Sequence, residues 1–304
     1  MSESHHGHHH GPSGLKNINR AFYFGILLNA VYTAIEFIVG YLNNSLAPIS
    51  DASHNLSDVA SLIISLIGMK LAQKAATLTY TYGYKKASIL ASLINAILLV
   101  IVVFSIFKEA LERLNSPPEI TGSVIIITAL IGVAINSFSA FLFFKGQKDD
   151  INIKGAFIHL MVDALVSVGV VIAGIVIHFT GWNIVDPIIS FVIGGVIILS
   201  TYGLLKESLK LTLDGIPKDI DSIKVKKIIS DHPHVIDVHH VHIWALSSTE
   251  NALTAHICLD SDSYSSANVM KIKREIKHQM EQEKIQHVTL EVDSNLDECD
   301  APGC

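Results

Sequence analysis

Long apolar runs broken by short polar connections fill the first two thirds of the chain, and then the pattern changes. Six apolar segments run approximately over Ala21–Leu42, Leu46–Leu71, Ile89–Phe107, Val124–Phe144, Ile153–Phe179 and Ile184–Leu205. Each reaches the roughly 20 residues that a helix needs to cross about 30 Å of hydrocarbon, so the pattern predicts six transmembrane helices. From about Asp214 the apolar positions recur at shorter periods. Lys218–Asp231 carries Ile220, Ile223, Ile228 and Ile229 at helical spacing. Val235–Leu246 and Asn251–Leu259 read as strands on either side of the turn-like SSTEN. Ser265–Lys284 reads as a polar helix, and Gln286–Val292 alternates Val288, Leu290 and Val292 as a third strand. The order αββαβ predicts a small α+β open-faced sandwich with helices on one face of a sheet. A domain of that size gains from dimerisation, which helps it bury a core. The expected organisation is a His-rich segment over 1–20, a six-helix polytopic membrane domain over 21–213, and a cytosolic α+β domain over 214–304.

Composition supports the membrane reading. Of 304 residues half are apolar and only 16% are charged, with a mean hydropathy of +0.44; about a quarter charged is usual for soluble domains. The net charge of -6 averages two unlike parts and decides nothing. No basic stripe interleaved with aromatics supports a nucleic-acid role. The cysteines, Cys258, Cys299 and Cys304, are too few and too clustered for a disulfide framework, which points to a reducing compartment. The opening MSESHHGHHHGPSG does not join a basic stretch to a short apolar core, so it does not read as a cleaved signal peptide. Basic residues set the orientation. Lys16 and Arg20 precede the first span, Lys70, Lys74, Lys85 and Lys86 lie between the second and third, and Lys145, Lys148 and Lys154 between the fourth and fifth. The opposite connections are poorer in them, so both termini are expected in the cytosol, here of a bacterial cell with the protein in its inner membrane.

Ionisable residues inside a bilayer are costly and mark a pathway or a binding site. The second span holds His54 and Asp58 within SDASHNLSDVAS; the fifth holds His159 and Asp163 within FIHLMVDALVS. Both pairs have the form H-x-x-x-D, which stands the two side chains on one helix face, one turn apart. Facing each other, the two helices offer two imidazoles and two carboxylates to one point. That shell suits tetrahedral zinc, with cobalt and cadmium as rivals, whereas magnesium and calcium prefer more oxygen ligands. Counting residues at about 1.5 Å each leaves the two pairs a turn or two apart in depth. Asp51, one turn from His54, is a candidate for the path or for bonding a ligand. Glu36 and Asp186 read as partly solvated helix ends, and Asn95 and Asn136 as interhelical hydrogen-bond partners.

The chain resembles the cation diffusion facilitators of the zinc-transporting branch. The likeness rests on SLAPISDASHNLSD, TYGYKKASILASLINAILL, IKGAFIHLMVDALVSVGV, HHVHIWAL and HVTLEVD, in that order, and covers nearly the whole chain. It implies a homodimer that exchanges a divalent metal for protons, with a cytosolic domain of metallochaperone-like fold. It also implies that His239, His256 and Asp293, with Glu291 beside them, match cytosolic metal ligands, and that Lys86 and Asp214 match a charge pair clamping the dimer at the membrane surface. Two family features are missing. The stretch Thr77 to Tyr84 offers tyrosines and threonines where some members have an Asp/His site, and GQKDDINIK has no histidine where many zinc-branch members have a His-rich loop.

Histidines cluster instead at the ends. His5, His6, His8, His9 and His10 form a stretch able to capture metal, with an artificial tag as the alternative, against which Gly7 interrupts the run. Eight of the sixteen histidines fall in the tail domain. Cys299 and Cys304, in ECDAPGC, add thiolates that suit zinc at a spacing wider than C-x-x-C. His240, His242 and His278 read as surface or interface residues, and Cys258 as a small buried hydrophobe. No organic cofactor is implied. Binding zinc to deprotonated carboxylates and neutral imidazoles displaces protons, so one set of ligands can couple the two fluxes. A metallohydrolase would need an open metal position and a general base, as in H-E-x-x-H, which does not occur here. A passive metal channel and a metal-sensing receptor remain the alternatives.

Overall fold

A computed structural model describes the backbone of residues 13–42, 46–115, 122–180, 182 and 184–293. The N-terminal histidines His5, His6, His8, His9 and His10, the cysteines Cys299 and Cys304, and the side chains of Glu36, Asp51, His54 and Asp186 lie outside the described residues.

Six long helices come first: α1 (Ser13–Leu42), α2 (Leu46–Ala72), α3 (Lys86–Asn115), α4 (Gly122–Phe143), α5 (Ile151–Thr180) and α6 (Val185–Thr212). Each coincides with one predicted apolar segment. Among the described residues, four stretches are long and apolar enough to cross a membrane: Arg20–Val39, Lys86–Leu114, Ile151–Gly169 and Ser190–Thr212. A shorter apolar run, Ala129–Phe143, lies in α4.

The chain forms two compact units. The first comprises Met1–Leu66, Leu99–Lys148 and Ile153–Ile198. In it α1 and α4 pack closely: the Phe22 and Phe143 rings meet edge to face at 4.8 Å, and a Cβ on Gly132 would fall 2.7 Å from the Tyr32 hydroxyl. Asn29 Nδ2 donates to the Gly25 carbonyl at 2.9 Å and to Ser139 Oγ at 3.4 Å, the interhelical use of an amide expected of a bilayer-spanning bundle. Val103, Val162 and Ile197 bring α3, α5 and α6 into one buried cluster.

The second unit comprises Ile67–Leu98, Asp149–Asn152 and Leu199–Cys304. It holds one end each of α2, α3, α5 and α6 together with the tail domain. A Cβ on Gly68 would lie 2.3 Å from that of Ala91, so only glycine lets α2 and α3 approach this closely. Ser92 and Ser208 hydroxyls meet at 2.9 Å between α3 and α6. The tail follows the predicted order: α7 (Ser222–Ser230), β1 (Val235–Ala245), β2 (Asn251–Leu259), α8 (Ser266–Gln282) and β3 (His287–Asp293). Asp221 caps α7 by accepting from the Ile223 and Lys224 amides, and Ser265 caps α8 through Asn268. The sheet order is β1-β2-β3, with β1 and β2 antiparallel and β2 and β3 parallel. Val225 and Ile229 of α7 and Ile272, Ile276 and Met280 of α8 pack on Val238, Leu253, Ala255, Ile257 and Leu290. One face of the sheet is therefore sealed by helices, and the strand alternation puts His256 and Cys258 on the other.

Within this unit the tail domain is tied to the helix ends by side chains. Ser248 donates its amide N–H to Ser88 Oγ (3.0 Å) and its hydroxyl to Asp150 Oδ2 (2.7 Å). Lys85 pairs with Glu250 and lies 3.3 Å from His287 Nε2, whose ring meets Tyr82 edge to face. Lys86 pairs with Asp214.

Candidate metal sites

Helices α2 and α5 bring Asp58, His159 and Asp163 together. His159 Nε2 lies 2.8 Å from Asp58 Oδ1 and 3.7 Å from Asp163 Oδ2. The mismatch in depth obtained by counting residues does not persist. All three side chains are buried, and one ligand atom from each lies within 4.8 Å of the others. Among the described residues, Asp58 Oδ2, His159 Nδ1 and Asp163 Oδ2 have no hydrogen-bond partner. A buried polar atom without a partner costs about 1–3 kcal/mol, more when charged, so this cluster holds donor capacity that packing alone does not explain. Two carboxylates and an imidazole match the ligand chemistry of a four-coordinate divalent cation. His54 lies on α2 one turn before Asp58; its side chain is the fourth expected ligand and is outside the described residues.

The exposed face of the tail sheet carries a second cluster, built by strand register. His239 pairs across with His256, which pairs with Glu291; Asp237 pairs with Cys258, which pairs with Asp293. Two rows of three residues result. His239 Nε2 lies 2.9 Å from Asp293 Oδ2, and His256 Nδ1 lies 3.1 Å from the same oxygen. Glu291 reaches His256 Nε2 at 3.5 Å. His239, His256 and Asp293 each have a ligand atom within 4.8 Å of the others.

Three residues of this face were not singled out from the sequence. Asp237 accepts from His239 Nδ1 at 2.8 Å, the arrangement by which a carboxylate orients an imidazole for metal binding. Its signal is the two-residue spacing from His239 on a strand. Cys258, buried as expected, also has its sulfur within 4.8 Å of ligand atoms of Asp237 and His239; its signal is the same spacing from His256. His240, expected as a surface or interface residue, is partly exposed. A shift of register between His239 and His242 holds it at a φ of 48°, and its ring centroid lies 5.3 Å from that of His239 and 5.2 Å from that of His256. A non-glycine residue in the left-handed region within a strand marks a bulge that re-aims a side chain.

Lys86 and Asp214 join α3 to the end of α6, where Asp214 has a φ of 59°. Their side chains are 41% and 63% exposed, against 20% and 37% for Lys85 and Glu250. Within the single chain, the Lys85–Glu250 pair is the better shielded of the two.

These features define a class: a helical membrane protein with an acid–imidazole cluster among its apolar helices, joined to a small α+β domain bearing another. Whole-chain comparison supplies the family. Residues 22–211 match the cation efflux transmembrane domain and residues 217–295 the cation efflux protein cytoplasmic domain, so the chain belongs to the cation efflux, or cation diffusion facilitator, family expected from its motifs. It is 34% identical over 290 residues to a Bacillus subtilis protein named cadmium, cobalt and zinc/H(+)-K(+) antiporter, covering 95% of this chain and 92% of that one. It is 38% identical over 255 residues to the cation efflux system protein CzcD of an Alcaligenes species, covering 84% and 80%. With the zinc transporter ZitB of Escherichia coli it shares 31% over 305 residues, covering 98% and 95%.

Proposed function

We propose that this protein exports zinc, with cadmium and cobalt as further substrates, from the cytosol in exchange for protons, and that it is a transporter rather than an enzyme. The observation that carries the reading is the buried Asp58, His159 and Asp163 cluster, three of whose polar atoms have no partner among the described residues. His54 completes a tetrahedral shell. The names of the relatives agree with it: that from Bacillus subtilis names cadmium, cobalt, zinc and proton exchange, that from Escherichia coli zinc transport, and that from the Alcaligenes species cation efflux. The physics of exchange lies in the ligands. A divalent cation compensates the two carboxylates; once it leaves, two like charges in an apolar surround are costly, so protons take its place on the same atoms. The chain lies in a bacterial inner membrane with both termini cytosolic, and works as a homodimer through the tail domain and the Lys86–Asp214 region.

The sheet-face triad His239, His256 and Asp293 binds zinc and acts as a sensor, with Glu291 adjoining it and Cys299 and Cys304 contributing from the following segment. The N-terminal histidines His5, His6, His8, His9 and His10 capture metal near the entrance. The direct test of transport is uptake of zinc, cadmium and cobalt into proteoliposomes carrying an internal pH dye. Metal-dependent proton counter-movement is expected; metal flux with no proton movement would instead identify a channel, and metal binding without flux a receptor.

A further inference from the structure

The sheet face offers two donor sets that share one imidazole. His239 turns Nε2 toward Asp293 at 2.9 Å and Nδ1 toward Asp237 at 2.8 Å. His256 bonds the same Asp293 oxygen as Nε2; Cys258 has its sulfur within 4.8 Å of a ligand atom of Asp237 and of one of His239. A neutral imidazole has one nitrogen free to accept and one that carries hydrogen, so His239 as a neutral ligand serves one side at a time. The sets also differ in charge and softness. His239, His256 and Asp293 bring one negative charge and two nitrogens. Asp237, Cys258 and His239 bring a carboxylate and, once metal displaces the thiol proton, a thiolate, which together neutralise a divalent cation. Thiolates favour softer cations. The Asp237 side chain is half exposed, so this set is open to solvent at its carboxylate.

We propose that Asp237, Cys258 and the Nδ1 edge of His239 form a second, soft-metal subsite that competes with the His239/His256/Asp293 set for the shared imidazole. Cadmium takes the thiolate set; cobalt, the harder cation, takes the two-imidazole set. The face then distinguishes cations by which side of His239 they occupy. The inference rests on the reading that this face binds metal at all.

The test uses the full chain in detergent, with the other metal-binding groups removed: His54→Ala, Asp58→Ala, His159→Ala, Asp163→Ala, Cys299→Ser and Cys304→Ser, and the five N-terminal histidines changed to serine. Cys258 is then the one thiol left of three. Titration with cadmium should raise a near-ultraviolet thiolate-to-metal charge-transfer band. Cys258→Ser should abolish that band and weaken cadmium on the order of tenfold, while cobalt affinity changes less than about threefold. His256→Ala should do the reverse, weakening cobalt and sparing the band. Cys258→Ala, with gel filtration of both variants, separates loss of a ligand from loss of the fold. Cadmium binding without a thiolate band, or equal weakening of both cations by Cys258→Ser in a folded dimer, would overturn the subsite and leave the two-imidazole reading intact. No binding of either cation in the Cys258-containing protein would remove both.

Discussion

The membrane cluster and the sheet-face cluster are made of the same side chains and are held in opposite ways. In the membrane, Asp58, His159 and Asp163 are buried between α2 and α5, and three of their polar atoms have no hydrogen-bond partner among the described residues. On the sheet, Asp237, His239, Asp293, His256 and Glu291 follow one another as alternating acids and imidazoles, at 2.8, 2.9, 3.1 and 3.5 Å. The first is poised to take up a cation or protons because its own contacts do not satisfy it. The second satisfies itself in part and is half open to water, so a metal entering it replaces existing hydrogen bonds and gains less. This difference suits a cargo site in the membrane that must exchange its occupant and a tail site that responds to concentration.

The comparison can be broken first at the membrane. Asp58→Ala or Asp163→Ala should reduce metal flux in proteoliposomes by on the order of a hundredfold or more, since loss of even an outer-shell partner costs about 10–100-fold in affinity. Gel filtration should show a folded protein, and unimpaired flux in both variants would end the proposal for this site. Next in size, His159→Asp exchanges a borderline nitrogen for harder oxygen and should shift the cadmium-to-zinc transport ratio severalfold. An unchanged ratio, measured by competition, argues against His159 as a ligand.

On the sheet a milder loss is expected. His256→Ala with Asp293→Ala should leave maximal flux intact and raise the zinc concentration for half-maximal flux on the order of tenfold, because metal that favours one state stabilises it by its differential affinity. A lowered maximum at unchanged half-saturation contradicts a sensor role. The smallest effects belong to the two charge pairs. Lys85→Ala should lower thermal stability more than Lys86→Ala, for which the solvated pair predicts a change within ~1 kcal/mol. Asp214→Ala should add nothing in a Lys86→Ala background; additive losses in thermal unfolding would show that the two do not interact.

Much of this was legible from hydropathy and spacing. Six helices, the αββαβ order and the paired H-x-x-x-D motifs follow from periodicity, because helices and strands repeat their faces at fixed intervals. Asp237 and Cys258 obeyed the same two-residue rule, but a strand read singly does not show which residues stand beside it. The cross-strand rows Asp237–Cys258–Asp293 and His239–His256–Glu291 exist only once the register is set. The approach of the His240 ring to His239 and His256 was not legible for a different reason: the bulge beside it breaks the alternation of the strand.

By itself the sequence determined the class, the family and the ionisable residues the membrane must accommodate, because apolar length and buried charge are local properties whose cost does not depend on neighbours. The tertiary structure alone decided which of those residues meet. Asp58 and His159 are 101 positions apart and lie 2.8 Å from each other, a juxtaposition that the packing of two helices sets and residue counting missed by a turn or more. The same holds for Lys85, Glu250 and His287, unremarkable in their own segments and joined where the tail meets the helix ends. Periodicity assigns a side chain to a face, and only the packing of one face on another brings it a partner.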